Sequence, residues 1–485
     1  KAVTKEYWMK DIEEFELDKV RAHDNGNGII TGHPIEPLYG RTYLPKKFKI
    51  AFTVPGDNGV DLYINDIGCV VIMEPDGQTL KGFNIVVGGG MAGFVLGLTL
   101  AKAGIAVTIV DREKPSAVLS QSYDGRASAI AHASANIFKS IGLWKTLEDA
   151  ASPIFDIRVV DGHPLRGISP LFLHYDYTDL GDQPFGYIIE NRAIREALHA
   201  EGKRTPGLQV IRPASVSALE CDGYSAVANT EEGSWIKAGL VVAADGRNST
   251  LRNLSGIGCT EHRYEQKSIV CTVVHERAHE GVAVELFLPN GPFAMLPMTL
   301  NRSNVVWTDR SDLADYYLDL SEESFLEELY QRFGDWLGAI ELTGPRFAFP
   351  LGVLHADRYT DTRLALLGDA AHAIHPIAGQ GLNLGLRDVA ALAELIVDAK
   401  RLGLDIGSSA VLERYERWRR FDNLILIAVT DSLNRLFSND IRPIRLARDV
   451  GLSIVNQMPS AKKFLMRHAM GYVGELPRLV RGEAL

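Results

Sequence analysis

The chain has 485 residues, of which 46% are hydrophobic and 23% charged. That composition excludes a disordered chain and predicts a globular one with two or three domains. A net charge of −10 disfavours nucleic acid as the main partner.

Residues 1–82 are charged and turn-rich, with Asp24-Asn25-Gly26-Asn27-Gly28 and Pro55-Gly56-Asp57-Asn58-Gly59 as loop signals. Short strands are predicted at Lys47–Phe52, Val60–Ile64 and Cys69–Met73. The stretch Pro37-Leu38-Tyr39-Gly40-Arg41-Thr42-Tyr43-Leu44-Pro45-Lys46-Lys47-Phe48-Lys49-Ile50, then Asp66-Ile67-Gly68, then Gly82 to Met91, resembles part of a sulfite/nitrite reductase hemoprotein. That family holds siroheme and an iron–sulfur cluster through four cysteines further downstream, and no such set follows here. The expectation is a fusion, natural or an artefact, joined at Gly88–Met91, with an inert N-terminal fragment.

From Phe83 the pattern sharpens. Phe83-Asn84-Ile85-Val86-Val87 reads as a buried strand, Gly88-Gly89-Gly90-Met91-Ala92-Gly93 as GxGxxG, and Phe94 to Leu100 as a helix. A second apolar strand, Ile105–Val110, ends at Asp111, eighteen residues after Gly93. This is the βαβ dinucleotide fingerprint. Gly88 and Gly90 allow a tight turn against a pyrophosphate, Gly93 lets helix pack on strand, and Asp111 meets a ribose hydroxyl. The motif alone does not separate FAD from NAD. Further on, Arg126 reads as opening a helix with Ile130, Ile137 and Ile141 on its apolar face. A cation at a helix start is disfavoured by the dipole, which suggests an anionic partner there rather than a merely solvated side chain.

Residues 151–190 alternate short strands with aromatics, among them Phe155, Phe172, Tyr175, Tyr177, Phe185 and Tyr187. They read as sheet over a pocket or as ordinary core. Leu240–Ala244 is a buried strand that delivers Asp245-Gly246-Arg247, a second nucleotide-facing turn or a plain β-to-α turn. Residues 264–358 are strand-rich, interrupted by an acidic helix at Ser321–Phe333.

Leu364-Ala365-Leu366-Leu367 is a third buried strand. It runs into Gly368-Asp369-Ala370-Ala371-His372-Ala373-Ile374-His375-Pro376 and then Gly379-Gln380-Gly381-Leu382-Asn383-Leu384-Gly385. An acid at a strand end can grip a sugar hydroxyl, and the following helix points its N–H groups at something flat or anionic. His372 and His375 lack a carboxylate set, so no metal is expected. From about residue 387 the pattern is helical. Arg442, Arg445, Arg448, Lys462, Lys463 and Arg467 interleave with apolar residues there, as in a self-packed helix pair or a membrane-surface patch.

The four cysteines (Cys69, Cys221, Cys259 and Cys271) have neither CxxC nor zinc spacing, which fits a reducing compartment. The apolar runs are too short to span a membrane. Residue 1 is lysine, which suggests a true start further upstream, and no signal-peptide pattern is visible.

The ordered set of GxGxxG with Asp111, Asp245-Gly246 and Gly368-Asp369 resembles the single-component flavoprotein aromatic hydroxylases. Asp124-Gly125-Arg126-Ala127-Ser128-Ala129-Ile130, Gly368 to Asp388 and Leu436-Phe437-Ser438-Asn439-Asp440 narrow it to the ubiquinone-biosynthesis branch, of the 2-polyprenyl-6-methoxyphenol hydroxylase type. The resemblance covers residues 83–485. It implies an α/β fold, with a Rossmann-like FAD-binding domain (83–150, 191–263 and 361–400) interleaved with a mixed β-sheet substrate domain (151–190 and 264–360). A helical C-terminal region (401–485) and the extra α+β fragment (1–82) complete the expectation.

By the same resemblance Gly88, Gly90 and Gly93 hold the FAD pyrophosphate, Asp111 the ribose, and Arg126 also binds FAD. Asp245 and Gly246 support flavin and NAD(P)H, and Gly368 and Asp369 hold the ribityl chain. Gln380, Leu382 and Asn383 line the flavin, with Pro376, Gly379 and Gly381 at its reacting face. The implied reaction is hydroxylation of a polyprenylphenol ring through a flavin C4a-hydroperoxide. O2 is the co-substrate, and NAD(P)H or a separate donor the reductant. The implied setting is cytoplasmic, with peripheral contact on the inner membrane face and other ubiquinone-biosynthesis proteins as partners. The competing readings are a flavoprotein reductase or epoxidase of isoprenoid lipids and an inactive fusion.

Overall fold

The computed structural model describes residues 50–53, 67–70, 84–114, 125–163, 167–438, 442–472 and 474–485. The chain divides into two units, Lys1–Phe83 and Asn84–Leu485. In the first unit Ile50–Thr53 pairs in parallel with Ile67–Val70. The strand expected at Val60–Ile64 lies outside the described residues.

In the second unit the uninterrupted apolar runs become strands buried on both faces, as parallel sheets require. Ile85 to Val87, Leu240 to Ala243 and Leu364 to Leu366 are all buried. They sit at the centre of a six-stranded sheet. Its order is Leu208–Ile211, Ala106–Val110, Asn84–Gly88, Leu240–Ala243, Leu364–Leu366 and Thr360–Asp361. The first five are parallel and the last is antiparallel. Parallel neighbours end at one edge. Gly88, Asp111, Asp245 and Gly368 therefore gather along the carboxyl edge, where open α/β sheets bind ligands.

A second sheet has eight strands, in the order His372–Ala373, Ile340–Ala356, Cys259–His275, Arg302–Arg310, Gly291–Met298, Val282–Leu288, Asp156–His163 and Gly167–Asp176. Only Val282–Leu288 and Asp156–His163 pair in parallel. The short strand His372–Ala373 follows directly on Gly368–Ala370 and pairs with Leu354 and His355. That pairing ties the third cofactor turn to the wall of the second sheet. The acidic helix expected at Ser321–Phe333 is Glu322–Phe333 with Ser321 as its cap, and a further helix, Ser311–Asp319, precedes it; both cover this sheet's own core.

The helix expected to open at Arg126 begins at His132. Ala127–Ala131 is instead a strand paired with Gly186–Glu190. Its small residues have weak local preference, and strand pairing decides the outcome. The dipole argument for Arg126 therefore does not apply.

Four helices close the chain: Gly381–Arg401, Ser409–Phe437, Arg442–Gln457 and Pro459–Ala469. Among the described residues no helix is long and apolar enough to cross a membrane. Arg448, one of the cations left open between a self-packed helix pair and a membrane-surface patch, is buried and paired with Asp161 at 2.9 Å. Lys462 pairs with Asp179 at 2.7 Å, while Lys463 and Arg467 are exposed.

Candidate cofactor site and adjoining cavity

Gly88 ends its strand, and Gly90 starts the helix Met91–Lys102, whose first turn no side chain caps. The N–H groups of that turn are left for a ligand, and the helix dipole favours an anion there. A Cβ at Gly93 would overlap the Gly88 carbonyl oxygen, so only glycine lets this helix lie on this strand. Gly89, which sequence reasoning passed over as a variable position of the motif, is equally constrained. A Cβ there would collide with Asp111 Cβ. The unbroken Gly88-Gly89-Gly90 run was the signal for it.

Asp111 is 5% exposed at the end of Ala106–Val110. Burial raises its pKa, opposed by the Glu113 N–H and the Arg212 guanidinium. Its Oδ1 accepts from Glu113 N at 3.0 Å, and its Oδ2 lies 4.0 Å from Arg212 Nη1. Arg212 was not anticipated. It stands over the Phe94 ring at 5.3 Å and donates to His199 Nδ1 at 2.8 Å. Burial first, then Arg212, lowers the His199 pKa to about 4, so that ring is neutral at neutral pH.

The second turn is closed on itself. Asp245 accepts from Ser249 Oγ at 2.5 Å and Leu251 N at 3.2 Å, and Ser249 caps the Arg252 N–H at 3.0 Å. Asp245 thereby sets the buried Arg252, which donates to Ala370 O at 2.8 Å. The second turn holds the third in place, with Gly246 at its bend. No sequence signal marked Arg252, because its partner is 118 residues away.

The third turn sits where two helices meet through small residues. The position of a Gly368 Cβ is 3.7 Å from Gly385 Cα and 3.8 Å from Ala92 Cβ. Beneath it, Asp388 is fully buried and accepts from Gly368 N at 3.2 Å, His372 Nε2 at 2.5 Å and Arg419 Nε at 2.8 Å. Burial alone would raise the Asp388 pKa, but His372 and Arg419 outweigh it and hold the carboxyl well below the usual range. His372 thus serves a carboxylate, and His375 is buried edge-on to Tyr264. Asp369 is open to the adjoining space but ringed by protein. That surrounding raises its pKa, against His372 and Arg247.

That space is a cavity of about 1450 Å³. Arg126, Asp369, Pro376, Gly379, Gln380, Gly381, Leu382 and Asn383 line it. Gly88, Gly90, Gly93, Asp111, Asp245, Gly246 and Gly368 do not, and lie along the sheet edge leading to it. Gly381 begins the helix Gly381–Arg401, again without a side-chain cap, and a Cβ there would meet no protein atom within 4 Å. The position faces open cavity, as a flat ring against a helix start requires. The Asn383 side chain is used structurally, donating to Ala129 O at 2.8 Å and accepting from Ala131 N at 2.9 Å. It seats the Ala127–Ala131 strand, and with it Arg126, against the helix start. Arg126 Cζ lies 5.6 Å from the Phe349 ring centroid.

The rest of the cavity wall is mostly apolar. The second sheet contributes Val159, Leu173, Val270, Leu296 and Val306, and the C-terminal helices contribute Ile425, Val429, Leu436 and Phe464. These last four are 44–60% exposed, so the cavity opens through an apolar mouth.

A strand–GxGxxG–helix unit with an acid at the next strand end defines a dinucleotide-binding site, and a second uncapped helix start faces the cavity to which that sheet edge leads. The chain matches the FAD binding domain family over residues 84–421. It is 50% identical over 404 residues to ubiquinone hydroxylase UbiL of Rhodospirillum rubrum, covering 83% of this chain and 93% of that protein. It is 33% identical to the 3-demethoxyubiquinol 3-hydroxylase of Escherichia coli, covering 80% of this chain and 97% of that protein. In fold it is similar to p-nitrophenol 4-monooxygenase PnpA of Pseudomonas putida, with TM-score 0.66 and 20% identity over 80% of this chain and 98% of that one. The chain belongs to the FAD-dependent monooxygenase family that contains these ubiquinone hydroxylases, and FAD is its cofactor.

Residues 19–101 match the nitrite and sulphite reductase 4Fe-4S domain. That cluster takes four thiolates, and Cys69 is the sole cysteine of the stretch. The residues present do not fit the group.

Proposed function

We propose that this chain hydroxylates the aromatic ring of a polyprenylphenol intermediate of ubiquinone biosynthesis. The observation that carries the reading is the cavity. It runs from the Pro376–Leu384 wall to exposed apolar helices, and its 1450 Å³ exceeds what a phenol ring alone needs. The flavin ring would take the end at Asp369 and Gly379–Asn383, and a long isoprenoid tail would use the apolar remainder. The bound FAD, reduced by NAD(P)H or a separate donor, would activate O2 and supply the transferred oxygen. The chain's own groups bind and exclude water. Gly88–Gly93 and Asp111 would hold the dinucleotide, Asp369 the ribityl chain, and the Gly381 helix start would favour negative charge on the reduced ring.

The apolar mouth supports peripheral contact with the cytoplasmic face of the inner membrane, where such a substrate dissolves, and with other proteins of the same pathway. Replacing both Val429 and Phe464 with aspartate is expected to raise KM for a long-tailed substrate at least tenfold, since about 1.4 kcal/mol of lost apolar contact is a factor of ten. KM for a short-tailed phenol stays unchanged. Equal effects on both substrates would count against a tail at this mouth. The function itself is tested by expressing the full chain in a quinone-deficient strain: restored ubiquinone supports it, and accumulation of the unhydroxylated phenol with flavin-loaded protein present rejects it.

A further inference from the structure

Glu285 lies on the strand Val282–Leu288 and lines the cavity. The sheet register places it in a lateral row, Val159, Glu285, Ala294, Val306, Val270, all of which line the same space. Its neighbours on the same strand face are Ala283 and Phe287. One carboxyl therefore stands in an apolar floor. Among the described residues it has no hydrogen bond and no ion pair. The other charged groups facing this cavity from packed elements are occupied or distant from it in chemistry. Arg448 pairs with Asp161, Asp422 with Arg387 and Arg419, and Arg247 with Glu261. Arg126 lies 5.6 Å from the Phe349 ring centroid and Asp369 belongs to the turn Gly368–Ala370, both outside that row. His468 lies at the mouth, its ring 4.9 Å from the exposed Phe464.

An unpaired acid in an apolar wall weakens the fold, so its presence calls for a role. Glu285 is partly exposed to the cavity but ringed by protein, and that surrounding alone pushes its carboxyl up to about 7. Near neutral pH it is then partly ionised, and an ionised carboxylate in such a wall needs a hydrogen-bond donor. The donor a phenolic substrate brings is its ring hydroxyl.

We propose that Glu285 binds the ring hydroxyl of the substrate and accepts its proton, an assignment that rests on the phenol-hydroxylase reading above. The phenolic O–H bond breaks and an Oε–H bond forms, while the electron pair stays on the ring oxygen. The ring becomes richer in electrons at the carbon to be hydroxylated. No oxidant or further reactant enters this transfer.

The test uses the full-length FAD-loaded protein, a short-chain 2-prenylphenol and the variants Glu285→Gln and His468→Gln. Binding is read first, from flavin fluorescence. Above about pH 7 the wild type is expected to bind the phenol roughly tenfold more tightly than the Glu285→Gln protein, and below about pH 5 the two converge, because the protonated acid, like the amide, makes only neutral hydrogen bonds. Hydroxylation rates are read second. The wild type gains kcat/KM as pH rises through about 7, and the Glu285→Gln protein loses that limb and about a hundredfold in rate at unchanged flavin content. Equal affinities and equal pH profiles in wild type and Glu285→Gln overturn the proposal. So does a limb that survives in Glu285→Gln and vanishes in His468→Gln. A wild type that binds the phenol with the predicted difference but forms no hydroxylated product refutes the hydroxylase reading and leaves the binding role of Glu285 standing. A wild type that binds no prenylphenol refutes both.

Discussion

An Asp388→Ala protein is expected to lose about 3–5 kcal/mol of stability, the cost of removing one member of a fully buried ion pair. Asp388 and Arg419 are both fully buried, and the same carboxylate also takes His372 and the Gly368 N–H. Removing it leaves Arg419 with Asp422 and Asn423 alone, takes the carboxylate from His372 and releases the turn that carries Asp369. Flavin retention should fall together with stability. The pH dependence has a definite sign. The folded pKa of Asp388 lies below its ordinary value of 3.8, so its contribution is present above about pH 4 and is lost as pH falls below that. Glu285 has the opposite sign. Its folded pKa is raised from 4.5 to about 7, so its cost to the fold grows across that interval, and Glu285→Gln should melt higher than wild type at pH 8 but not at pH 4. Chemical unfolding of Asp388→Ala measures the first effect, and a loss under about 1 kcal/mol would show the network to be dispensable.

Gly93→Ala is expected to abolish FAD binding. The added methyl overlaps the Gly88 carbonyl oxygen, backbone that cannot move without separating the first helix from its strand. Overpacking of this kind costs about 1–3 kcal/mol or more, and here it falls on the two elements that shape the phosphate turn. Gly381→Ala separates steric damage to the fold from loss of ligand space. Its methyl meets no protein atom within 4 Å, so the apoprotein should melt as wild type does, while flavin affinity falls about a hundredfold or more. The ratio of flavin to protein absorbance reads both variants. A Gly381→Ala protein with full flavin content would place the ring elsewhere.

Much of the fold was legible because its signals are local. Three apolar runs bounded by glycine or acid became three adjacent parallel strands, and their polar ends came together at one edge. What escaped was set by distant partners. Arg126 was placed on a helix because pairing with Gly186–Glu190 has no local mark. Arg252 reaches Ala370 across 118 residues, and Arg448 reaches Asp161 across 287. Charge patterning does not tell a buried, paired arginine from a solvated one, so for Arg448 the sequence leaves a self-packed helix pair and a surface patch both open. Glu285 carried no signal either: a single acid in an alternating strand looks like an outward-facing residue until the second sheet places that face on the cavity. Asp245 shows the reverse case. Its motif was visible, but its carboxylate is spent on the start of its own helix.

In the proposed reaction one atom of O2 would enter a polyprenylphenol ring at the wall formed by Pro376, Gly379 and Gly381. Incubation of the FAD-loaded protein with a prenylphenol, a reductant and 18O2 tests it directly by mass spectrometry of the product. A ring hydroxyl carrying one labelled oxygen is expected, absent with Gly381→Ala. A product labelled from water, an epoxidised or reduced side chain, or an unchanged phenol with flavin bound would contradict it.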